Sequence, residues 1–324
     1  MEKAHLRIGI VGCGGIAGAH IGAYKANEGA EVVAVCDVNE NAAKSLAEKM
    51  GAKPYTTLEQ MLHKEKLDGV SLLTPPAIRM PVARTIADHK VHIFCEKPLA
   101  DSVRVAKQMA KAAEKNGVLL MVAACHRFHE PVRRTRELID AGTLGKVRMF
   151  RNRFGYAWKK TDAEVRARGG VLLDNGAHSV YLFRFLTGEP VRVMARGDRA
   201  DDITLLRDVA CILETADGKI GVIELNGTVP KCKNIIEVCG TGGAAYIDYG
   251  GESAFFPGES SEKIVLTDPK LPGEHRFTRE IAHFLACVRG EAKPTIGAEE
   301  GIRDLMVIEA AFKSIQKGKA VEVA

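Results

Sequence analysis

The sequence predicts a two-part protein: a doubly wound parallel α/β sheet over residues 1–124, then an α+β part over 125–324 with a large, mostly antiparallel open sheet. Three observations predict it. At 324 residues the chain is about twice the usual size of one domain. Its first half alternates short, continuously apolar runs with helix-period stretches, and continuous runs mean strands covered on both faces. Its second half carries alternating runs in hairpin-like succession, joined by Gly-containing turns.

The first half divides clearly. "RIGIVG" is a strand and is followed by an Ala-rich helix to about Ala26. "EVVAVCD" precedes the helix "ENAAKSLAEKMG", which Gly51 closes as a C-terminal glycine would. "LDGVSLLTPP", "VHIFCE" and "GVLLMVAA" are further strands, separated by the helices "MPVARTIADH" and "SVRVAKQMAKAAEKNG". In the second half "KVRMFRNRFGY" alternates, and "VRVMAR", "DVACILETADGKIGVIELNG" and "NIIEVCGTGGAAYIDYG" continue the sheet. One helix, residues 169–188, precedes most of those strands and ends at Gly188.

Composition excludes several classes. The chain is 46% apolar and 27% charged, and no run approaches the roughly 18 apolar residues of a membrane span. "MEKAHLRIGIVG" runs almost directly into a strand, so no signal peptide is expected. The eight cysteines (13, 36, 95, 125, 211, 232, 239 and 287) are scattered, several inside apolar runs, so a reducing cytoplasm is expected rather than a disulfide framework. The net charge of +5 is modest, and bases interleave with acids, as in "EPVRRTRELIDAG". No basic block with stacking aromatics suggests a nucleic-acid groove.

"IVGCGGIAGAH" joins the first strand to the first helix, and Gly12, Gly14 and Ala17 fit G-x-G-x-x-G/A. Gly12 permits the tight turn, Gly14 lets backbone approach a pyrophosphate, and Ala17 lets helix and strand pack closely. The helix N-terminus then offers its amides to phosphate. Asp37 ends the next strand 20 residues after Ala17, where a carboxylate accepts from an adenosine ribose. This is a Rossmann fingerprint for NAD. NADP is disfavoured, because Asp37 would repel a 2′-phosphate and no Arg follows in "CDVNEN". Gly15 and Ile16 in the turn, Thr74 and Pro75 after a later strand, and Glu96 and Lys97 complete the expected nucleotide set.

"VHIFCEKPLA" ends a buried strand on Glu96, Lys97 and Pro98 and so places an ammonium group at the strand exit. In the second half Asp174 and His178 are four apart on the 169–188 helix. On spacing alone they could be an acid–base pair, a surface ion pair or a satisfied core histidine. His126 and His129 form H-x-x-H with no evident third ligand, so no metal is expected. Arg127, Arg153, Trp158 and His126 could line the same site but equally suit surface or core. In "RDVACILETA", Val209, Cys211 and Leu213 face one way and Ala210 and Ile212 the other. Apolar residues on both faces need cover, which predicts a homodimer or homotetramer through this sheet.

Together "GIVGCGGIAGAH", "CEKPLA", "GGVLLDNGAH" and the closing "PTIGAEEGIRDLMVIEAAFKSIQKGKAVEV" resemble the Gfo/Idh/MocA oxidoreductase family, relatives of glucose–fructose oxidoreductase and inositol dehydrogenase. The likeness covers nearly the whole chain. It implies that Lys97 of Glu-Lys-Pro reaches the reacting carbon beside the nicotinamide and completes a catalytic group with Asp174 and His178. His178 would then take the proton of a secondary alcohol on a sugar, polyol or sugar derivative. Lys97 would stabilise the same oxygen and could share the proton, while Asp174 orients substrate or imidazole. X-Pro bonds make cis accessible, and the sequence leaves the state of Lys97-Pro98 open.

One position departs from the family pattern. Inositol-oxidising relatives commonly carry Asp three residues after the histidine, and here that place is Tyr181. The change points to a differently shaped or more apolar substrate, unless Tyr181 simply packs in the core. An NAD-retaining, redox-neutral glycosidase or eliminase acting through a transient keto-sugar fits the same motifs. A non-catalytic nucleotide sensor fits less well, having no use for all three groups.

Replacing Asp37 with Ala should raise the Michaelis constant for NAD, since a hydrogen bond to a charged group contributes roughly 1.5–3 kcal/mol. Cofactor titration of the mutant checks this, and unchanged affinity would remove Asp37 from the ribose site.

Overall fold

The computed structural model describes residues 5–260, 262–267 and 275–324. Two compact units divide the chain, Met1–Cys125 with Glu274–Ile302, and His126–Gly273 with Arg303–Ala324.

The first unit contains β1 (Leu6–Val11), α1 (Ala17–Lys25), β2 (Ala30–Cys36), α2 (Glu40–Met50), β3 (Lys53–Tyr55), α3 (Leu58–Lys64), β4 (Gly69–Leu72), α4 (Arg79–Asp88), β5 (His92–Glu96), α5 (Val103–Asn116) and β6 (Leu120–Ala123). Its six strands pair in parallel in the order β3-β2-β1-β4-β5-β6. The winding reverses between β1 and β4, and ligands of such sheets lie beyond the carboxyl ends of the strands at that switch. As the continuous apolar runs require, β4 and β6 are buried at every residue. Gly51 closes α2 in the left-handed region at φ 65°. Sequence reading does not find β3. It is a three-residue edge strand with Pro54 at its centre, too short and too polar to form an apolar run.

The second unit continues with α6 (Glu130–Asp140), β7 (Val147–Gly155), α7 (Asp162–Ala167), α8 (Gly170–Asp174), α9 (Gly176–Leu186), β8 (Pro190–Gly197), β9 (Asp208–Thr215), β10 (Ile220–Asn226), β11 (Ile235–Gly240), β12 (Gly243–Asp248), β13 (Ala254–Pro257) and β14 (Ile264–Val265). After α10 (His275–Val288) in the first unit, α11 (Ala298–Lys317) leads to β15 (Val321–Glu322). Nine strands form a sheet in the order β14-β13-β12-β11-β7-β10-β9-β8-β15. Its pairs are antiparallel except β7 with β10, so the expected mostly antiparallel open sheet is present.

The single helix expected over 169–188 is two helices, α8 and α9, which meet at Asn175. The run Asp174-Asn175-Gly176 has low helix propensity. The His178 N–H bonds Asn175 O at 3.0 Å, three residues back, and this tightens the junction.

Alternation divides the nine-stranded sheet into two faces. On the inner face Phe150 meets Phe183 of α9 edge-on, with centroids 5.5 Å apart. Gly221 admits the same ring, since a Cβ there would lie 2.4 Å from Phe183 Cε2. Strand register places Ile212, Ile220, Tyr246 and Phe256 on the outer face, where they are 40–46% exposed. Ion pairs Arg151–Glu237 (2.7 Å) and Arg153–Glu224 (2.9 Å) lie among them.

In the first unit α10 packs on the parallel sheet. Phe284 stacks on Phe94 with centroids 5.0 Å apart, over Gly69, where a Cβ would lie 3.0 Å from its ring. Fully buried Glu280 accepts the Ala124 N–H with one carboxyl oxygen, and its other oxygen has no hydrogen bond among the described residues. Burial, then the charge of Glu96, push its pKa well above the ordinary 4.5 against the opposing Ala124 N–H and Arg276. The folded protein therefore binds a proton that the unfolded chain releases. The stability this gives is complete below the unfolded value and falls as pH rises towards the folded one. Glu280→Gln retains an acceptor for Ala124 and removes the ionisation. Denaturant midpoints measured across pH should fall less steeply for the mutant than for wild type on the alkaline side of 4.5.

Candidate active site

The turn after β1 has the form the nucleotide reading requires. Gly12 has φ +96°, and its N–H reaches Cys36 O at 2.9 Å. A Cβ on Gly12 would lie 3.0 Å from the Leu73 carbonyl carbon and the Thr74 nitrogen, so only glycine lets the turn lie against the end of β4. Gly14 and Gly15 have nothing within 4 Å of a Cβ position, which leaves their backbone open to a phosphate. Ile16 forms the N-cap of α1 and is half exposed. The Asp37 carboxylate accepts Cys13 N–H at 2.7 Å and Asn39 N–H at 2.9 Å, which fixes it at the end of β2 beside the glycine turn. This cradle of open amides with a carboxylate at the next strand end fits a dinucleotide with unphosphorylated ribose.

Two strands over, Lys97 follows β5 through a cis Lys97-Pro98 peptide. Its flanks are held from both sides. Arg79, 3% exposed, donates to the carbonyls of Glu96 and Pro98 through one guanidinium nitrogen, and to Thr74 O at 2.8 Å through Nε. Thr74-Pro75 after β4 and Glu96-Lys97-Pro98 after β5 are thus joined by one side chain. The buried Glu96 carboxylate takes His20 Nε2 at 3.1 Å. Burial disfavours charge on Glu96, but the hydrogen bond and charge of His20, with Lys97 and Arg79 nearby, outweigh it and lower its pKa.

In the second unit, Asp174 ends α8 and accepts Arg168 Nη1 at 2.9 Å. His178 lies in the first turn of α9, and its Nδ1 is 2.8 Å from the Tyr181 hydroxyl. That hydroxyl also accepts the His126 backbone N–H at 3.2 Å. The His126 ring stands edge-on to His178 at 4.5 Å, and Phe154 and Tyr249 pack against His126 at 5.2 and 5.1 Å. His129 stacks on Tyr249 at 4.7 Å, which places both histidines of H-x-x-H in one aromatic cluster. Arg127 covers the Phe185 ring at 4.1 Å, and Arg153 pairs with Glu224 on the outer sheet face. Lys97 belongs to the first unit, Asp174 and His178 to the second.

Two family models match the chain. One, described as "Oxidoreductase family, NAD-binding Rossmann fold", covers residues 6–124, and the other, "GFO/IDH/MocA C-terminal domain", covers 132–246. The chain belongs to the Gfo/Idh/MocA oxidoreductase family. Myo-inositol 2-dehydrogenase of Thermotoga maritima is 26% identical, over 98% of this chain and 98% of its own. 2,7-Anhydro-N-acetylneuraminate hydratase of Mediterraneibacter gnavus is 29% identical, over 78% of this chain and 73% of its own. The solved structure of aldose-aldose oxidoreductase from Caulobacter crescentus, complexed with glycerol, superposes with a TM-score of 0.88 at 26% identity, covering 98% of this chain and 99% of that one. The resemblance drawn from the four motifs and the parallel NAD-binding sheet are both borne out.

Sequence reading of this Gfo/Idh/MocA chain does not single out His20 or Arg79. A histidine in "AGAHIGAYK" and an arginine in "PPAIRMPVA" are each a polar residue in an apolar stretch. That is a signal of burial, but not of which backbone the group holds. Tyr181, 3% exposed, is both core packing and a polar partner of His178. Tyr181→Phe would leave the His126 N–H without this acceptor, so denaturant titration should show a loss of about 1–3 kcal/mol.

Proposed function

We propose that this Gfo/Idh/MocA oxidoreductase oxidises a secondary alcohol of a sugar, polyol or sugar derivative with NAD, using Lys97, Asp174 and His178. In this reading residues 1–124 hold the dinucleotide, and 125–324 hold substrate and associate with a second copy. The cofactor supplies the hydride acceptor. Gly12, Gly14, Gly15 and Ile16 bind its phosphates, Asp37 its ribose, and Thr74, Pro75, Glu96 and Lys97 the strand ends beside the ring. Asp37 favours NAD over NADP, because its carboxylate repels a 2′-phosphate.

The observation that carries the reading is the fixed placement of Lys97, whose flanking carbonyls are held by buried Arg79 at the carboxyl edge of a parallel sheet. His178 serves as base in the tautomer whose Nδ1–H donates to Tyr181, so that Nε2 accepts the alcohol proton. Lys97 stabilises the developing negative charge on that oxygen. Asp174, already accepting Arg168, orients substrate hydroxyls.

A redox-neutral reaction through a transient keto-sugar is the second reading, and similarity to a hydratase favours it. Net reduced cofactor separates the two: a dehydrogenase accumulates it and a redox-neutral enzyme recycles it. The exposed apolar residues of the outer sheet face support a homodimer or homotetramer. The unpaired state of all eight cysteines supports a reducing cytoplasm, and no helix among the described residues is long and apolar enough to cross a membrane.

Lys97→Ala and His178→Ala should each lose at least about 100-fold in turnover, the lower range for positioned acid–base catalysis, and still bind NAD. Steady-state rates with cofactor titration check this, and near-normal turnover in either mutant would remove that residue from the mechanism.

A further inference from the structure

The loop between β7 and α7 carries an ammonium group that the proposed mechanism does not use. Lys160 is half buried, with its Nζ 4.6 Å from the Trp158 ring centroid and 5.5 Å from that of Tyr156. The two guanidinium groups near it have carboxylate partners: Arg168 has Asp174 at 2.9 Å and Arg207 has Asp162 at 2.9 Å. Lys160 has no such partner, and no hydrogen-bond acceptor, among the described residues. A second donor beside it is also unmet, because the indole N–H of Trp158, a residue 6% exposed, is buried without an acceptor among the described residues. The loop is not loosely placed. Arg207 donates to the Lys160 carbonyl at 3.1 Å while holding Asp162, and the Trp158 backbone N–H donates to Gly227 O at 2.7 Å.

Burial, then the positive charge of Arg168 and more weakly that of Arg207, lower the Lys160 pKa, and Asp174 and Glu164 act in the opposite sense. A lysine held on an aromatic face near two guanidinium groups is poorly satisfied by the protein itself. It lies within electrostatic reach of Asp174, which already has its own cation. Those conditions suit a ligand that brings a negative charge of its own.

We propose that Lys160 receives an anionic oxygen group, carboxylate or phosphate, carried by the sugar substrate, so that the enzyme acts on acidic rather than neutral sugars. This deepens the dehydrogenase reading and rests on it. Arg168 contributes by neutralising Asp174, which keeps a carboxylate beside the incoming anion from repelling it. Trp158 contributes an apolar wall that excludes water from the ion pair and so strengthens it.

The test compares wild type with Lys160→Met and Lys160→Arg on glucuronate, gluconate and glucose 6-phosphate against glucose, each with NAD. In wild type at least one anionic sugar should exceed glucose in kcat/KM by about tenfold or more, the worth of one charged hydrogen bond. Lys160→Met should abolish that ratio through KM and Lys160→Arg should preserve it. The carboxylate and phosphate arms decide which anion is used. A ratio near one in wild type, or one unchanged in Lys160→Met, overturns the proposal. Thermal denaturation with NAD and the same sugars reads binding without turnover, so absence of reduced cofactor from every sugar counts against the dehydrogenase reading alone. In that case stabilisation by an anionic sugar over glucose, lost in Lys160→Met, upholds the anion site, and equal or absent stabilisation overturns it.

Discussion

The buried guanidinium of Arg79 is the constraint on which the carboxyl edge of the parallel sheet depends. A charge taken out of water is costly unless its donors are met, and here Nε meets the carbonyl of Thr74 and Nη1 those of Glu96 and Pro98. Main-chain carbonyls cannot rotate away as a surface carboxylate can, so the guanidinium acts as a brace between two strand exits. The nearby Glu96 carboxylate, itself held by His20, offsets part of the desolvation of the cation. Lys97, the lysine proposed for catalysis, sits on a long flexible stem, and the brace fixes where that stem begins.

The same region sorts two buried carboxyl groups into different states. Glu96 meets His20, with Lys97 and Arg79 close by, and its charged form is favoured. Glu280, one oxygen on the Ala124 amide and the other unbonded among the described residues, is pushed towards its neutral form. Register places Glu96 opposite Ala123, one residue before the amide that Glu280 accepts. Two carboxylates so close cannot both be charged cheaply in a buried site, so environment assigns one the charge and the other the proton.

In the second unit the nine-stranded sheet has two contrasting faces. The inner face is tuned for close approach, as Gly221 under Phe183 illustrates, and its packing fixes α9 and hence His178 and Tyr181. The outer face mixes exposed Ile212, Ile220, Tyr246 and Phe256 with cross-strand ion pairs, a composition suited to contact with another surface as well as with water.

Local pattern made much of this legible. Strands covered on both faces announce themselves as unbroken apolar runs, a glycine turn between strand and helix has few other uses, and Asp37 falls at a fixed interval after it. These features depend on neighbours within about twenty residues, so the chain by itself determined the parallel sheet and the nucleotide turn, whereas the residues proposed for catalysis came from the resemblance of whole motifs to a family. Tertiary structure alone decided that Arg79 braces carbonyls as far as nineteen residues away, that the Tyr181 hydroxyl joins His178 to the His126 backbone, that the 169–188 helix divides at Asn175, and that Lys160 rests on Trp158 without an acceptor among the described residues. Hydrogen bonds and stacking require atoms to meet at set distances, and sequence spacing carries no record of which distant backbone folds back to meet a side chain.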